Sequence, residues 1–156
     1  MLDVIKAHAG LGRALDPLRS LLLATTRIWV SWQFLKSGWL KLTTWDTTIE
    51  LFKSEYQVPL LSPALAAVAG TVGELLFPAL LILGLLTRVG ALGLFAVNLM
   101  AVASYWHVLG QDGFEAALAQ HVLWGYMLAV IALCGAGRLS LDHLLEKRAE
   151  RKTPAN

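Results

Sequence analysis

The sequence predicts an all-α integral membrane protein: a four-helix transmembrane bundle with an interfacial helix in its first external loop and a short amphipathic C-terminal helix. Three observations carry that expectation. The 156-residue chain is 56% hydrophobic and 15% charged, against about 45–50% apolar and about 25% charged residues in soluble domains. Four stretches each supply the roughly 20 mostly apolar residues that a spanning helix needs. Lysines and arginines gather in alternate inter-helix segments, the distribution that orients a chain in a membrane.

The first span is expected over residues 17–42, with Asp16 suited to an N-cap and Pro17 to the first helical position. The second, 63–86, opens on the same signal in Ser62 and Pro63. The third covers 89–107 and the fourth 117–133, ending before the glycines of "GAGR". In the first external loop Trp45, Ile49, Phe52 and Tyr56 recur at helical spacing, with Asp46, Glu50 and Lys53 on another face. That pattern reads as an interfacial helix, a surface anchor in the first instance and a lid over the bundle in the alternative. Residues 140–152 form a cytoplasmic amphipathic tail with Leu141, Leu144 and Leu145 as its apolar side and a basic end for anionic headgroups.

Lys6, Arg13 and Arg19 belong to the N-terminal segment that leads into the first span, Arg88 lies between the second and third, and Arg138, Lys147, Arg148, Arg151 and Lys152 follow the fourth. Lys53 is the one basic residue of the other two loops. Both termini are therefore expected in the cytoplasm. The N-terminus mixes charges of both signs without a continuous apolar stretch and does not read as a cleaved signal peptide. The length suits one domain, residues 1–156. No nucleic-acid footprint is present, and the single cysteine, Cys134, excludes an internal disulfide. It reads as a small packing residue.

Two charges fall deep inside the expected spans, Arg27 and Glu74. A charge at a bilayer centre costs roughly 2.5–3.5 kcal/mol on insertion scales, so a partner is expected. Arg27 lies about 15 Å from the cytoplasmic start of its helix and Glu74 about 20 Å from the cytoplasmic end of the next, which allows an Arg27–Glu74 pair. Arg27, Ser31, Gly38 and Lys41 fall within about 80° of one another on the helical wheel and form a bundle-facing stripe. Lys36 lies opposite, among Trp29, Trp32 and Trp39, as a lipid-facing anchor.

Pro78, four residues after Glu74, removes the N–H that would bond the Glu74 carbonyl and is expected to kink the helix. Gly70 and Gly73 allow a neighbouring helix to approach, and Asn98 is placed to join the same cluster. Either a ligand-binding polar pocket or a bare ion pair that fixes helix packing follows. For the pocket the candidate ligand-binding residues are Arg27, Lys41, Glu74, Asn98 and His121. His107 and His121 sit near the outer surface. Their spacing matches no compact metal motif, and no metal ligand is assigned; His121 instead suits a hydrogen bond in the bundle mouth or contact with a quinone headgroup or polar substrate.

The segments "RIWVSWQFLKSGWLKL", "GELLFPALLILGLLTRVGAL" and "GAGRLSLD" together resemble the DoxX family of small bacterial membrane proteins, over Leu18 to Asp142. Arg27, Gly38 and Lys41 fall on the family's first-helix pattern, and Glu74, Gly84, Thr87 and Arg88 on its second. Gly137 to Asp142 match its closing motif, with Ala136 where a proline is common. The resemblance implies a four-helix bundle in the bacterial cytoplasmic (inner) membrane. It also implies a membrane subunit or accessory of a redox process, binding a quinone or similar amphiphile, with the lipid bilayer, a partner redox protein or a second copy of the chain as partners. A non-enzymatic scaffold or assembly partner, and a metal-stress or small-solute handling protein, are the alternatives. The wider fold looks like that of thiol oxidases that use quinones through cysteine pairs, and one cysteine excludes that chemistry for this chain alone. No catalytic residue is assigned.

Overall fold

The computed structural model describes residues 1–152, with side chains for all of these except 2–9 and 11–14. Among the described residues the secondary structure is helical throughout: α1 (Leu2–Thr43), α2 (Trp45–Ser54), α3 (Pro63–Leu83), α4 (Thr87–Ser104), α5 (Trp106–Leu109), α6 (Glu115–Cys134) and α7 (Leu141–Lys152). Of these, α3, α4 and α6 are long and apolar enough to cross a membrane. The helix α1 packs along α3 and α6, α3 packs on α4, and α4 on α6. Val30 and Phe34 of α1, Leu81 of α3, Ala91 and Leu94 of α4, and Leu128 and Ile131 of α6 make the core where they meet.

The expected first helix started at Pro17, but α1 runs through it from Leu2. Proline's fixed φ is helical, and inside a helix it removes one hydrogen bond without reversing the chain. The stripe expected to face the other helices does so: Arg27, Ser31 and Gly38 are buried, and Lys41 is half-buried. Lys36, Trp29, Trp32 and Trp39 are exposed on the opposite side.

The helix α3 is capped at its start by Ser62, whose Oγ accepts from the Leu65 N–H at 3.4 Å. It runs unbroken through the buried Pro78 and stops at Leu83 rather than continuing to residue 86. Gly84 ends it: at φ +65° it takes the left-handed conformation open to glycine. Its N–H donates to Leu81 O at 3.1 Å while Leu85 N–H donates to Leu80 O at 3.0 Å, the paired bonds of a Schellman cap. The helix α4 accordingly starts two residues before the expected 89 and ends at Ser104. His107 falls in the separate one-turn α5.

The helix α2 buries the face expected from its spacing. Phe52 packs with Ala66 and Ala67 of α3, and Trp45, Ile49 and Tyr56 surround them. Ser140 caps α7, its Oγ accepting from His143 N–H at 3.2 Å and donating to Gly137 O at 2.7 Å.

Candidate functional site

Where α2, α3 and α4 converge they enclose a cavity of about 330 Å³, within the size range of small-molecule sites. Phe52, Tyr56, Phe77, Val97 and Met100 supply much of its wall. Lys41 and Glu74 stand in that apolar lining as an ion pair. Lys41 Nζ donates to both Glu74 carboxylate oxygens at 2.6 Å and to Ser37 Oγ at 3.0 Å. Side-chain exposures of 18% and 8% place the pair against the cavity rather than in bulk solvent.

Helix geometry explains why these two meet. A Cβ built on Gly38 would lie 2.9 Å from Glu74 Cβ, so only the missing side chain lets α1 come this close to α3. Lys41 is one turn further along α1, within reach of the carboxylate with its long stem. Lys41 also occupies the last turn of α1, where a cation suits the helix dipole. Thr48 Oγ1 donates to Lys41 O at 3.0 Å and ties the start of α2 to the same turn.

The expected Arg27–Glu74 pair does not form. With Gly38 opposite Glu74 on antiparallel helices, the eleven residues back to Arg27 carry it about 16 Å away, level with the C-terminus of α3. There Arg27, 1% exposed, donates from Nη1 to Leu81 O at 3.1 Å and from Nη2 to Leu139 O at 2.7 Å. Its guanidinium sits directly against Gly84. The Leu81 carbonyl in the last turn of α3 carries part of the negative end of that helix's dipole, and together with the Leu139 carbonyl from the segment before α7 it compensates Arg27 as a carboxylate would. Asp142 completes this clasp. Its carboxylate accepts from Leu86 N–H at 2.8 Å and Thr87 N–H at 2.9 Å, and its own N–H donates to Gly84 O at 2.9 Å. Leu86, at φ +47°, is a strained residue of the kind a surrounding network must hold.

Asn98 does not join Glu74 either; it pairs with His121 across the α4–α6 contact. Asn98 Nδ2 donates to His121 O at 2.9 Å, and His121 Nδ1 lies 2.8 Å from Asn98 Oδ1. An Nδ1–H tautomer satisfies that geometry and leaves Nε2 as an acceptor. The His121 ring meets Trp124 edge-on at 4.9 Å. His107 is exposed beside the Tyr105 ring. No group of three His, Cys, Asp or Glu side chains able to hold a metal ion occurs among the described residues. Cys134, expected to pack, is exposed at the end of α6.

At the α2 rim of the cavity Phe52 and Tyr56 are in edge contact at 4.8 Å, and Tyr56 and Tyr105 at 5.3 Å. Gln57 N–H donates to Ser104 O at 2.9 Å, fastening the segment after α2 to the end of α4. Burial, then the neighbouring Tyr105, Glu74 and Glu55, push the Tyr56 hydroxyl above its ordinary value, so it stays protonated. Phe52, Tyr56 and Ser104 were not singled out as site residues from the sequence. The first two were visible only as the apolar face of α2, a pattern that does not say what the face covers.

A family model described as DoxX matches residues 22–108. A relative from Haemophilus influenzae, named only as an uncharacterized protein, is 32% identical over 127 residues, covering 80% of this chain and 83% of the relative. No solved structure matches.

Proposed function

The chain belongs to the DoxX family and is a membrane protein, and from that premise we propose that it binds a quinone or similar amphiphile in the cavity between α2, α3 and α4, as the membrane subunit or accessory of a redox process. In this reading α1 is the fourth spanning helix of a bundle in a bacterial cytoplasmic membrane. Both termini face the cytoplasm, and the cavity opens in the outer half. The exposed leucines, isoleucine and tryptophans along α1, among them Leu22, Ile28 and Trp32, are then its lipid face.

The observation that carries the proposal is the Lys41–Glu74 pair in the wall of an apolar cavity. An amphiphile needs that division: apolar walls for a chain and ring, and a few fixed polar groups for the head. Lys41 offers N–H donors to a carbonyl or hydroxyl oxygen in exchange for its bond to Ser37. The free lone pairs of Glu74 accept from a hydroxyl. Tyr56, protonated at the rim, closes the cavity over the ligand. Arg27 serves the clasp at the other end, and Asn98 and His121 hold α4 to α6, so none of the three touches the ligand.

The test is mass spectrometry of small molecules retained by the detergent-purified protein, wild type beside Glu74→Gln. Retention of an isoprenoid quinone or comparable amphiphile by the wild type, and its loss from a folded variant, is the expected result. An empty wild-type protein that co-purifies with another protein would replace the proposal with the scaffold reading.

A further inference from the structure

The opposite end of the molecule, where α1, the start of α4, the end of α6 and α7 come together, contains a second cavity of about 760 Å³. Three arginines line it from three separate elements: Arg19 on α1, Arg88 in the first turn of α4, and Arg138 between α6 and α7. Among the described residues none of the three has a carboxylate oxygen within 4.0 Å. Nor is Arg88 well placed for its own helix, whose N-terminal dipole disfavours a cation. Arg27, buried in the same end, shows how this chain compensates an arginine that serves structure: it donates to two backbone carbonyls.

The loop that carries Arg138 is built to fold over this cavity. Gly135 at φ +78° and Gly137 at φ +72° take conformations that side chains rarely adopt. They turn the chain back toward α1, where Arg138 N–H donates to Ser20 Oγ at 3.4 Å. The Arg88 guanidinium lies along Gly135, with Nη2 3.6 Å from where a Cβ would sit.

Three carboxylates also line the cavity. Asp142 has committed both oxygens to the N-terminus of α4. Asp16 and Glu146 remain exposed on the wall, so the site suits one phosphate with a cation beside it better than a polyanion. From this arrangement we infer that the α7-end cavity is a phosphate site, taking the headgroup of a membrane phospholipid or a free phosphate on Arg19, Arg88 and Arg138. Guanidinium groups match phosphate oxygens with two parallel N–H donors, and basic pockets at the cytoplasmic ends of spanning helices lie at headgroup depth. A zwitterionic head would set its ammonium group against Asp16 and Glu146. The site is separate from the Lys41–Glu74 cavity and stands whether or not that cavity binds an amphiphile.

The full-length protein in detergent is the material for the test, with three variants: Arg88→Gln/Arg138→Gln, Arg138→Lys, and Lys147→Gln/Arg151→Gln as a basic-tail control. Native mass spectrometry after incubation with phosphatidylethanolamine, and with a phosphate-free glycolipid of the same chains, reads the lipid arm. Thermal melting in inorganic phosphate against chloride at equal ionic strength reads the soluble arm. Wild type and tail control should retain phosphatidylethanolamine over the glycolipid. The double variant should retain at least about tenfold less, as loss of charge-assisted hydrogen bonds requires, and Arg138→Lys should fall between. A phosphate-specific melting shift in wild type, absent from the double variant, assigns the site to free phosphate instead. Should the double variant not fold, Arg138→Lys decides alone. Equal retention and equal melting shifts in wild type and the arginine variants overturn the inference, as does a preference for lipid that follows the tail control.

Discussion

Replacing Lys41 by Met removes a charge while keeping a long apolar stem, and leaves Glu74 in the cavity wall with its carboxylate stranded. Breaking a buried ion pair by deleting one partner costs about 3–5 kcal/mol, because the remaining charge stays desolvated. Both side chains retain some exposure to the cavity, 18% and 8%, which puts the expected loss near the lower figure, about 3 kcal/mol. For a chain of this length that corresponds to a fall in melting temperature of about 6–12 °C. Glu74→Gln leaves Lys41 unpaired by the same logic, but Lys41 keeps its bond to Ser37, so a smaller loss is expected. The double variant Lys41→Met/Glu74→Gln strands no charge and should recover at least half of the Lys41→Met deficit. A thermal-melt double-mutant cycle in detergent measures the interaction directly. If Lys41→Met melts within about 0.5 kcal/mol of wild type, or the losses simply add, the two groups are not paired in the folded protein and the cavity lacks the polar end argued for it.

The remaining predictions address the two helix ends and the α1–α3 contact. Arg27→Lys should destabilise by about 2 kcal/mol or more, since one ammonium cannot span both Leu81 O and Leu139 O as the guanidinium fork does; melting together with faster proteolysis after residue 139 checks it. Burial pushes the Asp142 carboxyl up, but hydrogen bonds from Thr87 and Leu86 and the charge of Arg27 outweigh it and hold the group below its ordinary value of 3.8. A depressed folded pKa contributes stability that is present above the unfolded value and lost as pH falls through the folded one. Melting curves below about pH 4 should therefore show a loss in wild type that is absent from Asp142→Asn, which starts less stable at neutral pH. Gly38→Ala places a methyl group against Glu74 and should cost about 1–3 kcal/mol by overpacking. Ligand retention should fall with it because α1 must move outward.

Much of the helical layout is legible in the sequence because it follows from local signals. Ser62 and Pro63 mark the start of α3, the spacing of Trp45, Ile49, Phe52 and Tyr56 describes α2, and the position of Ser140 marks the start of α7. The boundaries that differ turn on backbone conformation. Leu85 and Leu86 are apolar enough to extend α3, and hydropathy alone extends it. The left-handed Gly84 and the Asp142 carboxylate stop it, and Asp142 lies 56 residues from the backbone it binds. Pro17 reads as a helix start by its local signal, yet the same ring geometry is tolerated inside a continuing helix.

The candidate site was legible in composition and not in register. The spacing puts Arg27, Ser31, Gly38 and Lys41 on one stripe of the first helix and Glu74 inside the next, but which α1 residue stands opposite Glu74 depends on how far one helix slides along the other. A helix rises about 1.5 Å per residue, so a slide of a few residues exchanges one cation for another as partner. Hydrophobic patterning is nearly indifferent to such a slide, because a stripe of small and polar residues continues along α1. What sets the register is volume: Gly38 alone admits the backbone of α3 at Glu74, and Gly84 alone admits the guanidinium of Arg27. One of these glycines lies on α1 and the other caps α3, and each receives a charged residue from the opposite helix. Together they assign Lys41 to the carboxylate and Arg27 to the carbonyls. The two buried charges that look like each other's compensation in the sequence are thus compensated separately, one by a side chain in a cavity and one by backbone carbonyls. Only the first arrangement sets an ion pair into the wall of an apolar cavity, so the polar end that an amphiphile needs lies at Glu74 and not at Arg27.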